Sequence, residues 1–265
     1  MLRSLNEIMH LQLQGIDKEI GNCKDFLFDD KYWVIRYLAV DTNRWLPFLG
    51  KVLISPRSLG EVRCETHQLS VNLTREEVKN SPSFDENQPI SHLYEAELFK
   101  YYGNGFYWMG ESQWATCTSP AEIAESNLFA NKTQSIATKI ENKLEERYLR
   151  SSIEVKGYKI HATDQSIGHI EDFILDDGNW SICYLIIKTR NWLPGGRTVI
   201  ISPNCIETVN CIDGSITINV SAKVVEDSPL FDSNRLTDPQ YEAHLHEYYE
   251  ISQSSKYLSD LKVRL

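Results

Sequence analysis

Apolar positions along the chain fall into short runs of strand character separated by turn residues. FLFDDKYWVIRYLAV, residues 26–40, places two β-branched and aromatic runs on either side of Asp29, Asp30 and Lys31, which predicts strand, tight turn, strand. FILDDGNWSICYLII, residues 173–187, repeats the pattern with Asp177 and Gly178 at the turn. Each hairpin is followed by WLP, at 45–47 and 192–194, where the proline breaks the strand, and by VLIS or VIIS, a further strand ending at Pro56 or Pro203. LSVNL at 69–73 and ITINV at 216–220 add an alternating strand, with Asp213 and Gly214 as the turn before the second. Five or six short strands in about 70 residues predict a small barrel or sandwich.

Helical spacing enters later. Ser91, Tyr94, Leu98 and Tyr101 form a stripe stopped by Gly103, and Asp238 with Pro239 forms an N-cap and first-turn pair ahead of Tyr241, Leu245 and Tyr248. A short helix is therefore expected to close each strand group. TQSIATKIENKLEERYL, residues 133–149, carries Ile136, Ile140 and Leu144 at helical spacing with charges opposite, which predicts a connector helix.

The two strand groups are copies. Shifting the sequence by 147 positions aligns LRS at 2–4 with LRS at 149–151, IGNCKDFLFDDKYW with IGHIEDFILDDGNW, SPSFDEN with SPLFDSN and YEAELFKYY with YEAHLHEYY, without a gap. About 38 of roughly 101 aligned positions are identical, so the chain is a tandem duplication. The expected organisation is repeat one over 2–102, a connector over 103–148, repeat two over 149–249 and a tail over 250–265. The period is too long for a solenoid, so each copy is expected to be a domain, and residues 149–265 are expected to fold alone.

Composition narrows the function classes. With 42% apolar and 24% charged residues the chain is globular in type. No apolar run reaches the roughly 18 residues of a membrane helix, and MLRSLNEIMHLQ lacks a signal peptide's apolar stretch, so the expected address is the cytoplasm. Cys23, Cys64, Cys117, Cys183, Cys205 and Cys211 include no CxxC pair, so free thiols are expected, and the Asn72, Asn131 and Asn219 sequons carry no meaning in that compartment. A formal charge of −10 with dispersed Lys and Arg makes nucleic acid an unexpected partner.

The order G-x(3)-DF-x(2)-DD-x(2)-W, then Y-L, then W-L-P, then V-x-I-S-P occurs in both copies. It resembles the PRC-barrel family, which includes the cytoplasmic domain of the photosynthetic reaction-centre H subunit and the C-terminal domain of RimM-type ribosome maturation factors. The resemblance is greatest to tandem, stand-alone bacterial members. It implies a mainly β protein: two small six-stranded PRC-type β-barrels in tandem, each closed by a short helix and joined by an aromatic, partly helical connector. It also implies use as a protein-contact or regulatory module. The chain has neither the H subunit's membrane helix nor an N-terminal RNA-related domain, and family members share a scaffold without sharing a site.

No residue pattern calls for chemistry. Asp29 with Asp30, and Asp176 with Asp177, could pair for acid–base work, but Asp is also what a hairpin turn prefers for local hydrogen bonding. His244 and His246 diverge on a helix and do not suit one metal. Cys64 and Cys211 match across the copies with no matching basic neighbour in sequence to activate a thiol. GxGxxG, P-loop, GxSxG and HExxH signatures are missing. No catalytic residue, cofactor or metal is expected.

Aromatic residues outside the strands are the remaining signal. Trp45 and Trp192 stand before the resetting prolines, either covering one end of the strands or meeting a ligand. Tyr101, Tyr102, Phe106, Tyr107, Trp108 and Trp114 cluster around glycines, as glue between the copies or as a contact patch. The expected function is a non-enzymatic interaction or regulatory module whose partner is another protein, with a homodimer as a further option. A small-ligand-binding or ribosome-associated module is the alternative, and Lys51, Arg57, Lys188, Arg190 and Arg197 are its nearest approach to a basic stripe.

Overall fold

The computed structural model describes residues 1–43, 45, 50–84, 90–103, 149–189, 197–229, 231–236, 238, 240, 241, 243–245, 247 and 248. In chain order the first copy contains β1 (Leu2–Ser4), α1 (Leu5–Met9), β2 (Gln12–Gln14), β3 (Glu19–Asp29), β4 (Val34–Asp41), β5 (Lys51–Ile54), β6 (Leu59–Arg63), β7 (Gln68–Val71), α2 (Arg75–Lys79) and α3 (His92–Tyr102). The second contains β8 (Leu149–Ser151), α4 (Ser152–Val155), β9 (Lys159–His161), β10 (Ser166–Asp176), β11 (Ser181–Lys188), β12 (Thr198–Ile201), β13 (Ile206–Asn210), β14 (Ser215–Ile218) and α5 (Ala222–Glu226). The described residues from 240 to 248 are helical. The chain is mainly β. The connector over 103–148, apart from Gly103, lies outside the described residues, as does the tail over 250–265.

Both copies use one strand path. In the first the order is β6–β7–β2–β3–β4–β5; in the second it is β13–β14–β9–β10–β11–β12. β2 with β7 and β9 with β14 are parallel, and the other pairs along these paths are antiparallel. The count of six strands agrees with the expected barrel, but closure does not follow. Among the described residues the end strands β5 and β6, and β12 and β13, form no ladder with each other. Proline-led 3-10 turns, Pro56–Ser58 and Pro203–Cys205, join them instead. Proline supplies no amide, and the preceding Ser55 or Ser202 hydroxyl accepts the N–H of Arg57 or Asn204, at 3.4 and 3.3 Å, so the chain turns a corner where a hairpin ladder would have to begin.

The central strands are buried along almost their whole length, which is why β4 (VIRYLAVD) and β11 (SICYLIIK) read as apolar runs rather than as alternations. The hairpin loops fall at 30–33 and 177–180, where turns were expected. The left-handed position in them is taken by Trp33 (φ 54°) and Trp180 (φ 60°). Their N–H groups donate to Asp29 O and Asp176 O, both at 2.7 Å, and both rings are buried. Trp33 stacks on Phe28 at 5.2 Å. Ring burial offsets the roughly 1–2 kcal/mol that a left-handed non-glycine residue costs.

The chain packs as two compact units whose limits differ from those of the sequence copies. One comprises Gln12–Arg63 and the described residues from Gln68 to Leu149; the other comprises Met1–Leu11, Cys64–His67 and the described residues from Arg150 onward. The first eleven residues of copy one thus belong with the strands of copy two. β1 pairs antiparallel with β10 (Leu2↔Asp176, Arg3↔Leu175, Ser4↔Ile174), beyond the stretch of β10 that β9 occupies. Leu2, Leu5, Ile8, Met9 and Leu11 are buried. Conversely Leu149, the counterpart of Leu2, packs with Leu27, Tyr37, Ala39, Leu53 and Leu98 in the other unit. Local apolar pattern cannot distinguish these destinations, because both copies offer the same kind of strand edge.

Polar contacts hold the arm. Arg3 Nε donates to Asp177 Oδ2 at 2.5 Å, and the Met1 ammonium lies 2.7 Å from Asp176 Oδ1 and 2.8 Å from Asp177 Oδ1. Ser4 Oγ donates to buried Asp172 at 2.5 Å, and Lys156 Nζ lies 3.4 Å from the other oxygen of that carboxylate while also donating to Asn6 Oδ1. Burial works to raise the Asp177 carboxyl, but hydrogen bonds from the Met1 ammonium and Arg3 hold it below the usual carboxylate range. A carboxyl depressed in the folded state contributes stability above its unfolded value, near 4, and loses that contribution as pH falls through the folded value. Hydrogen-exchange protection of residues 2–8, corrected for intrinsic rates, is expected to be level from about pH 5 to 8 and to fall below about pH 4. In Asp177→Asn the level should be lower at neutral pH and the fall smaller; an unchanged profile in that variant would remove Asp177 as the cause.

Candidate contact site on helix α2

The stretch after β7 builds a small surface from parts of one unit. Thr74 and Glu77 form a capping box: Glu77 N donates to Thr74 Oγ1 at 3.2 Å, and Thr74 N to Glu77 Oε2 at 2.7 Å. Those bonds hold the Glu77 carboxyl below its ordinary range. Asp17 accepts Arg75 N at 2.9 Å, and that bond likewise lowers the Asp17 carboxyl. A helix of five residues is thus pinned at its first turn from both sides.

Arg75 then reaches back over the sheet. Its Nε and Nη2 donate to Glu19 O at 2.9 and 2.7 Å, and its guanidinium carbon lies 4.5 Å from the centre of the Trp45 ring. Trp45 Nε1 donates to Ile20 O at 2.5 Å and Trp45 N to Thr42 O at 3.1 Å. The tryptophan that follows β4 thus has its N–H satisfied by a backbone carbonyl and its face covered by a cation, an arrangement worth about 0.5–2 kcal/mol. Trp45 and Arg75 both remain partly exposed.

Tyr101, on α3, reaches the same helix. Its hydroxyl donates to Glu77 O at 2.7 Å, its ring meets Tyr102 edge-on at 4.9 Å, and it is 38% exposed. Tyr102 turns inward and packs on the Leu27, Tyr37, Leu53 and Leu98 cluster. Burial pushes the Tyr102 phenol up to about 12, and burial with Glu77 and Glu76 raises that of Tyr101, so both are neutral at physiological pH. Glu76 and Lys79 lie exposed on α2. The result is a mixed aromatic and charged surface whose backbone-facing donors are already engaged.

Of the eight aromatic residues singled out in sequence, the structure brings Trp45 and Tyr101 onto α2 and packs the partly buried Tyr102 against the core cluster. Trp192, Phe106, Tyr107, Trp108 and Trp114 lie outside the described residues. Arg75 and α2 itself were not foreseen. The signals available were the T-x-x-E capping pattern at 74–77 and the difference between Arg75 and its counterpart Ala222.

The second copy separates structural from particular features. Tyr248 OH donates to Val224 O at 2.6 Å, as Tyr101 does to Glu77 O, and Ala222 N donates to Asp164 Oδ1 at 2.8 Å, as Arg75 N does to Asp17. The tyrosine bridge and the aspartate anchor are therefore structural devices of both copies. Arg75 itself has no like residue in copy two, where its counterpart is Ala222.

The remaining sequence candidates are held by the fold. Asp29 accepts Lys31 N at 2.9 Å and Tyr32 N at 3.3 Å and lies 3.3 Å from buried Arg36 Nη2, while Asp176 accepts Gly178 N at 3.1 Å. Cys64 Sγ accepts from Arg3 Nη1 at 3.2 Å. Tyr158 OH donates to Glu154 Oε1 at 2.6 Å, and its phenol is raised by burial and by Glu154 and Cys211. His244 is exposed, and His246 lies outside the described residues. Among the described residues no group of three His, Cys, Asp or Glu could hold a metal ion, five cysteines are free, and no helix is long and apolar enough to cross a membrane.

No curated protein matches the chain. A family match does exist, and it lies within the second copy: residues 151–225, from the end of β8 into α5, match the PRC-barrel domain family.

Proposed function

We propose that this protein is a non-enzymatic, cytoplasmic interaction module in which copy one is a second PRC-barrel-type unit and the α2 corner is the surface that meets a partner protein. The ungapped repeat and the common strand path support the tandem reading. The observation that carries the contact surface is the Arg75–Trp45 pair at 4.5 Å, formed by an arginine whose counterpart in copy two is Ala222. Arg and Trp are the side chains that most often anchor protein interfaces. Against the ribosome-linked alternative, Lys188 of the proposed basic stripe lies 2.6 Å from Glu171 Oε1.

Trp45→Ala and Arg75→Ala are each expected to weaken retention of the partner by at least about tenfold, the effect of losing one interface anchor. Affinity capture from the native cell, with the wild-type chain and Glu76→Gln alongside, measures it. Retention unchanged in both alanine variants, with normal unfolding transitions, would move the contact surface away from α2.

A further inference from the structure

The best-defined recognition in the described residues is between residues 2–11 and the unit that carries β10. Leu2, Leu5 and Ile8 are at most 3% exposed. Three β1 residues continue the β10 ladder, and Arg3, Ser4 and Asn6 each meet a polar group of that unit: Asp177, Asp172 and Lys156. Arg3, Ser4, Asp172 and Asp177 recur in the repeat as Arg150, Ser151, Asp25 and Asp30, but the counterpart of Asn6 is Ile153 and that of Lys156 is Met9, so the third pair is particular to the first arm.

The arm is joined to the rest of its own copy without a linker. Leu11 belongs to one unit and Gln12 to the other. A short hinge between an exchanged element and its parent favours exchange between molecules, because every contact of the element can be remade unchanged in a neighbour. We propose that the groove beside β10 also takes residues 2–11 of a second copy of this chain, giving a closed, arm-exchanged homodimer. The occupant is the second copy because its arm carries all three polar partners and the buried leucines, and reciprocal exchange leaves no groove empty. This surface is separate from the α2 corner and does not depend on the function proposed there.

The test uses full chains with reversed charges. Arg3→Asp sets an acid against Asp177, and Asp177→Arg sets a base against Arg3, so each variant alone carries a mismatched arm. In an exchanged heterodimer both arms meet complementary charge. After equimolar mixing at high concentration, native mass spectrometry is expected to find a species of two chains, one of each variant, at least tenfold above either variant's own dimer. A chain carrying both reversals re-pairs them within one molecule and reports whether the reversed charges fold. Should the single variants fail to fold alone, recovery of a cooperative unfolding transition on mixing supports exchange equally. If the doubly reversed chain folds while the mixture yields no heterodimer and no recovery, the proposal is wrong.

Discussion

Removal of residues 1–11 is expected to abolish cooperative folding of the unit that contains β10. The deleted segment supplies β1 and five buried apolar side chains, Leu2, Leu5, Ile8, Met9 and Leu11, each at most 7% exposed. Burying one such side chain is worth about 1.5–3 kcal/mol, so the segment contributes on the order of 10 kcal/mol as an upper figure. That is comparable with the whole stability of an ordinary domain, about 5–15 kcal/mol. The polar side adds to the loss, because Asp172 and Lys156 would lose the hydrogen bonds of Ser4 and Asn6 at a partly buried site. Urea unfolding followed by circular dichroism, with hydrogen exchange of β10 and β14, measures the effect. The same reasoning reverses the expectation from the repeat alone: residues 149–265 in isolation should not fold, and adding a peptide of residues 1–11 should restore protection of β10. An isolated 149–265 segment with a full cooperative transition would show that the arm is dispensable.

Gly168→Ala is expected to cost at least about 3 kcal/mol, with Gly21→Ala close behind or equal. These glycines occupy matching positions in the repeated G-x(3)-DF motif, at φ +149° and +153°. A Cβ on Gly168 would stand 2.2 Å from Lys188 O, and one on Gly21 would stand 2.1 Å from Asp41 O. In both cases the obstacle is the backbone of the paired strand, which cannot step aside as a flexible side chain can. The strain of a φ that side chains rarely adopt adds to the clash. Urea midpoints of the two variants against the wild-type chain measure the loss. A midpoint shift worth less than about 1 kcal/mol would mean that the strand pair can open locally without cost.

The agreement between the two copies makes these expectations specific. The glycine close to a partner carbonyl, the buried tryptophan with positive φ and the tyrosine bridge to the neighbouring short helix each occur twice. Residues without a like counterpart are Asn6 and Lys156, matched by Ile153 and Met9, and Arg75, matched by Ala222; association is assigned to the surfaces that carry them.

Much of this was legible in the residues because it is encoded locally. Alternating and continuous apolar runs, Asp-rich turns and proline-ended strands act within a few positions, so the hairpins, the strands that follow them and the duplication follow from the one-dimensional pattern. Only the tertiary structure decided which unit receives residues 2–11, because the two copies present similar strand edges and the partners Asp172, Lys156 and Asp177 lie about 150–175 positions away. It also decided that the end strands meet at a proline corner rather than closing a ladder, and that Trp33 and Trp180, not a glycine, take the left-handed position. Arg75 meets Trp45 across 30 positions for the same reason: the contact depends on where β4 and α2 end in space, and no periodicity along the chain carries that information.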